Sequence, residues 1–221
     1  MTSPAHFIDH TLLKADASEE QIVLLCEEAV EHGFASVCIP PVFVPRAAEL
    51  LYGSDVAVGT VVGFPLGYDS TAVKAFATAE AVGRGADEID MVINLGWVRD
   101  NRMGEVGAEV RRVVLAAEGA KVKVILECCY LEDAAKEDLT EAVVAAGAAF
   151  VKTSTGFGTS GATVDDVRLL CRAARGRVGV KASGGIRDWS FCSELLQAGA
   201  TRIGTSSGPV IMEGWRKAEL S

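Results

Sequence analysis

Positive charge is in short supply in this 221-residue chain, where 21 Lys and Arg face 30 Asp and Glu and leave a formal charge of −9. Nucleic acid and anionic membranes call for a basic surface, so both are disfavoured as partners. Long apolar runs are missing too. Gly, Asp or Lys interrupts each hydrophobic stretch well short of the roughly 20 residues needed to cross a bilayer. The opening MTSPAHFIDH has no basic leader and no apolar core of a signal peptide, so neither secretion nor import is expected and the chain reads as cytoplasmic. Histidine is scarce. His6, His10 and His32 make no HExxH or similar spacing, and the six cysteines include no CxxC pair. No metal is expected, and the dispersed cysteines read as small core residues in a reducing compartment. Neither GxGxxG after the first apolar run nor GxxxxGK[ST] occurs, which removes the main support for dinucleotide and P-loop chemistry.

What is present is a 49% hydrophobic chain in which short β-rich runs alternate with longer stretches of helical period. Strands are expected near 7–11, 36–40, 56–63, 88–94, 121–127, 150–154, 178–183 and 202–205. That is one strand about every 28 residues, enough for a strand, a helix and two short loops. Between them lie helix signals. SEEQ at 18–21 is a capping box, followed by Ile22, Leu25, Cys26 and Ala29 on one face and a stop at Gly33. Similar faces run through Val106, Val110, Val113, Val114 and Ala117 to Gly119, through Ala135, Leu139, Ala142, Val143 and Ala146 to Gly147, and through Val167, Leu170, Cys171 and Ala174 to Gly176. Each glycine suits a left-handed helix terminus that turns the chain back toward a sheet. Eight such units predict a single-domain (β/α)8 barrel over 1–221 in preference to an open doubly wound sheet.

In such a barrel, functional groups belong at the C-terminal ends of the strands, and a charge inside an apolar strand is costly unless paired or used. Lys152 in AAFVKTSTG and Lys181 in VGVKASGG occupy adjacent strands. Facing inward at about 6 Å, two ammonium groups would repel by roughly 3 kcal/mol at an effective dielectric near 20. One should then lose its proton near neutral pH and become able to attack a carbonyl and form a Schiff base. Spacing does not say which. Lys121 and Lys123, at the start of their strand, are expected to snorkel at the barrel bottom, and Asp87 and Glu88 to be solvated. Asp90 in EIDMVIN lies mid-strand, as partner of a buried cation or as a proton-transfer group. Asp9 and Thr11 share a strand face and could bond one ligand or lysine, or cap a helix. Gly184 and Gly185 after one strand, and Ser206, Ser207 and Gly208 after the last, form candidate anion loops, with Pro209 suited to a helix start. Thr153, Ser154, Thr155 and Gly156 add donors on a neighbouring loop, Cys38 is a barrel residue that could touch substrate, and Cys128 and Cys129 read as packing residues.

IDHTLLK (8–14), VCIPP (37–41), VVGFPLG (61–67), GADEIDMV (85–92), KVILE (123–127), FVKTSTGF (150–157), VKASGGIRD (180–188) and GTSSG (204–208) together resemble deoxyribose-phosphate aldolase along nearly the whole chain. The resemblance implies a class I, cofactor-free lyase that reversibly cleaves 2-deoxy-D-ribose 5-phosphate to acetaldehyde and D-glyceraldehyde 3-phosphate. It implies a Schiff base on Lys152, Lys181 as the neighbour that lowers its pKa, Asp90 in proton transfer, and phosphate on the loops of Gly184, Gly185, Ser206 and Ser207 near Gly156. A homo-oligomer, dimer or tetramer, is expected. Phe157 stands where some members have Lys after TSTG, Ser183 replaces a commoner Ala, and the end WRKAELS lacks the terminal Tyr of some members.

Overall fold

The computed structural model describes residues 3–220, so residues 1, 2 and 221 of the expected 1–221 unit lie outside the described residues. The chain runs β1 (Ile8–Thr11), α1 (Glu19–His32), β2 (Ser36–Ile39), α2 (Val44–Leu50), β3 (Ala57–Val62), α3 (Thr71–Gly83), β4 (Glu88–Val92), α4 (Leu95–Arg99) and α5 (Met103–Ala116). It continues with β5 (Lys121–Ile125), α6 (Asp133–Ala146), β6 (Phe150–Lys152), α7 (Val164–Ala174), β7 (Gly179–Ser183), α8 (Trp189–Gln197), β8 (Arg202–Thr205) and α9 (Gly208–Glu219). Every neighbouring pair of strands is parallel, and β8 pairs back to β1, which closes the (β/α)8 barrel in sequence order.

All eight strands form where the short β-rich runs predict them, but β4, β5 and β6 end two residues early, because their upper ends leave the ladder to become site loops. The helix signals act locally as read. The Ser18 side chain accepts from Gln21 N–H while the Gln21 side chain accepts from Ser18 N–H, and Gly33 and Gly147 take left-handed φ of 69° and 83° at helix ends. At the end of α7 it is Arg175, at φ 50°, rather than Gly176 that caps the helix.

Two layers result from the period of two along each strand. Val37, Ile39, Ile89, Met91, Val122, Val124, Val151, Val180 and Ile203 are buried, alternate with the interior residues and pack in the core shared with the helices. The other face fills the barrel, and it is ionic: Asp9, Glu88, Asp90, Lys123, Lys152, Lys181 and Arg202 are all buried there. Small residues make room for them. A Cβ on Gly204 would come within 3.0 Å of Lys181 Cε.

Candidate active site

β6 and β7 are in register with Lys152 opposite Lys181, and β4 and β5 with Asp90 opposite Lys123. Closure brings these pairs together across the barrel. Asp90 Oδ2 lies 2.7 Å from both Lys152 Nζ and Lys181 Nζ, so the two amines are within twice that distance of each other. Lys123 Nζ takes the other carboxylate oxygen at 2.8 Å and reaches Glu88 Oε2 at 2.7 Å. Asp9 bridges Lys181 Nζ at 2.5 Å and Arg202 Nη1 at 2.6 Å, and Arg202 returns to Glu88 at 2.9 Å. Four buried cations, Lys123, Lys152, Lys181 and Arg202, thus share three carboxylates, Asp9, Glu88 and Asp90. One proton is surplus.

The surroundings decide which group gives it up. Burial would raise the pKa of Asp9 and Asp90, but the lysines, with Arg202 at Asp9, hold both carboxyls well below the usual range. For Lys181 burial is outweighed by Asp9 and Asp90, and for Lys123 by Asp9, Asp90 and Glu88, so both stay protonated with raised pKa values. Lys152 differs. Burial and the Lys181 cation outweigh the pull of Asp90 and lower its pKa. Lys152 is also the member of this cluster that lines the cavity of about 270 Å³ at the C-terminal end of the barrel. It is the last residue of its strand, whereas β7 continues above Lys181 to Ser183.

Thr11, Thr155, Gly156, Phe157, Ser183, Gly184, Gly185 and Ser206 line the same cavity. The loops after β6 and β7 are fastened to each other: Ser183 N–H donates to Thr153 Oγ1 at 3.2 Å, and Ser183 Oγ donates to Ser154 O at 2.5 Å. Gly184, at φ 87°, is pressed against Gly161 and Gly156, where a Cβ would fall 3.0 and 3.3 Å from their Cα atoms. Phe157 meets Phe64 edge to face at 5.4 Å between ring centres. Among the residues expected at the ligand, Asp9, Cys38 and Thr153 lie behind the cavity wall and are wholly buried. Asp9 belongs to the ion cluster, Thr11 donates to the Asp9 carbonyl, and burial, reinforced by Asp90, pushes the Cys38 thiol up to about 11. Ser207 is also set back, its N–H donated to Thr205 Oγ1 at 2.9 Å.

Two expectations are corrected. Lys123 does not snorkel and Glu88 is not solvated: both are buried and paired with each other. A residue at the foot of β5 reaches the centre because the register sets it beside Asp90, two positions above the Glu88–Lys121 pair. Lys121 and Asp87 are exposed as expected. The sequence reading also passed over Arg202, Lys14 and Arg187. The period of two from Gly204 marks Arg202 as inward, and Lys14 and Arg187, exposed on the loops after β1 and β7, line the cavity. No group of three His, Cys, Asp or Glu among the described residues is placed to hold a metal.

A desolvated amine at the floor of a closed-barrel cavity, held against a shared carboxylate, is an arrangement suited to the carbonyl chemistry of the aldolase class. The comparisons agree. The sequence profile of the DeoC/LacD family aldolases matches residues 5–212. The chain is 59% identical over 218 residues to a deoxyribose-phosphate aldolase of Syntrophotalea carbinolica, covering 99% of each chain. It is 54% identical to that of a Geobacillus species over 95% of each. The tetrameric deoxyribose phosphate aldolase of Aeropyrum pernix superposes with a TM-score of 0.90 at 36% identity, over 97% of this chain and 91% of that one. The chain belongs to the DeoC/LacD aldolase family and is an aldehyde-lyase.

Proposed function

We propose that the chain, acting over 1–221 as one catalytic domain, reversibly cleaves 2-deoxy-D-ribose 5-phosphate to acetaldehyde and D-glyceraldehyde 3-phosphate in deoxyribose catabolism. The observation that carries this reading is the position of Lys152, which lines the cavity and has a lowered pKa, while Lys181 and Asp90 lie beneath it. Neutral Lys152 attacks the sugar aldehyde, and loss of water gives an iminium. Removal of the C3 hydroxyl proton breaks the C2–C3 bond, its electrons pass into the iminium to form an enamine, and glyceraldehyde phosphate leaves. Protonation of the enamine at C2 and hydrolysis release acetaldehyde and free Lys152. Asp90 Oδ2, equidistant from both amines, supports proton transfer between Lys152 and Lys181, directly or through water.

The phosphate is read onto the Gly184, Gly185 and Ser206 backbone, with Gly156 nearby. Lys14 and Arg187 offer the positive charge that Phe157 does not. Phosphate binding far from the reacting bond then positions C2 and C3. A homo-oligomer is consistent with the tetramer described for the Aeropyrum pernix protein, and a cytoplasmic setting with the absence, among the described residues, of any helix long and apolar enough to cross a membrane. Borohydride reduction in the presence of acetaldehyde or the deoxysugar phosphate tests the proposal. A covalent adduct on Lys152 is expected, and an unmodified Lys152 in an active enzyme would refute the Schiff-base route.

A further inference from the structure

Glu127 is a buried carboxylate that the chemistry above leaves unused. It sits just past β5, 2% exposed, with φ 56° and ψ 63°, a left-handed conformation that is costly for a residue with a Cβ. A bulge puts it there. Leu126 N–H donates to Lys152 O at 3.0 Å and Cys128 N–H to Thr153 O at 2.8 Å, so two steps on this strand match one step on its neighbour. Its carboxylate accepts from the Cys129 thiol and from Thr155, whose N–H lies 3.2 Å from Oε1 and whose hydroxyl donates to Oε2. Phe157 N–H in turn donates to Thr155 Oγ1 at 3.0 Å. On the far side, Gly158 fits closely: a Cβ there would be 2.9 Å from Cys129 Sγ and 3.1 Å from the Glu127 carboxyl.

We infer that Glu127 is a positioning residue that clamps the Thr155–Phe157 wall of the substrate cavity in its binding shape. Strained backbone persists only where the surroundings over-determine it, and here they do so beside the residues that line the cavity. The Lys152 ammonium is held separately, by Asp90. Loss of the clamp should therefore disturb substrate grip far more than formation of the covalent bond.

The inference rests on the aldolase reading, and steady-state kinetics with borohydride trapping separate the two. Glu127→Ala and Thr155→Val should each raise KM for 2-deoxyribose 5-phosphate by roughly tenfold or more and leave kcat within about threefold, since small misplacements of a binding wall weaken grip steeply. Glu127→Gln, whose amide oxygen at the Oε2 position can accept from both the Thr155 hydroxyl and its N–H, 3.3 Å away, with the NH2 turned to the Cys129 sulfur, should stay within about threefold of the parent in KM. Acetaldehyde should still be trapped on Lys152 in all three. An unchanged KM in Glu127→Ala, or a Glu127→Gln variant as impaired as Glu127→Ala, would overturn the inference. Should Glu127→Ala fail to fold, Thr155→Val decides alone, and an unchanged KM there overturns it. A parent enzyme that traps nothing on Lys152 would instead defeat the aldolase mechanism.

Discussion

Two of the buried groups of charges in this molecule behave differently. Between α3 and α5, Lys74 Nζ lies 2.8 Å from Glu109 Oε2 and donates to Val92 O at 2.8 Å, with both side chains wholly inaccessible. Burial lowers the Lys74 pKa and raises that of Glu109, so both partners lean toward their neutral forms, and one acid matches one base. Inside the barrel, four cations meet three carboxylates, the carboxyls are held down, and the surplus falls on the cation at the cavity. Burial alone does not make a charge functional. Imbalance combined with access does.

Single substitutions should separate the two groups most sharply. Lys152→Ala is expected to cut kcat on the order of 10⁴-fold or more with little change in the denaturation midpoint, because it removes the surplus cation. Lys74→Met should do the reverse, leaving kcat within about threefold and lowering stability by roughly 3–5 kcal/mol in urea unfolding through the unpaired Glu109. If Lys74→Met abolished turnover in folded protein, the contrast would be lost.

Next in size is the electrostatic coupling. Lys181→Leu removes a cation that lowers the Lys152 pKa, so the acid limb of the kcat/KM profile should move to higher pH. An unmoved limb would show that burial alone deprotonates Lys152. The smallest effect concerns acid stability. Asp9 and Asp90 have folded pKa values below their unfolded ones, so their contribution is present above about pH 4 and is lost as pH falls through the folded values. Denaturant midpoints measured between pH 5 and pH 2 should show this decline, and Asp90→Asn should flatten it.

The barrel was legible because its signals are local. A capping box, a stop at Gly33 and alternating strands each act over a few residues, and the eight units repeat them. Much of the site was legible for a related reason: a lysine or aspartate amid apolar strand residues stands out. Lys123 and Glu88 were misread because position along a strand was taken for height in the barrel. Glu127 gave no sign, since its role depends on a bulge against β6 and on Thr155, 28 residues away in the chain.

By itself, then, the sequence determined the eight strand–helix units and the presence of Asp90, Lys152 and Lys181 within apolar strands, because apolar runs and capping are properties of neighbouring residues. Only the tertiary structure decided that Lys123 and Arg202 complete an uneven ion cluster and that Lys152, not Lys181, opens on the cavity. Strand register and closure set the height of each side chain, and they arise from pairing between segments far apart in the chain.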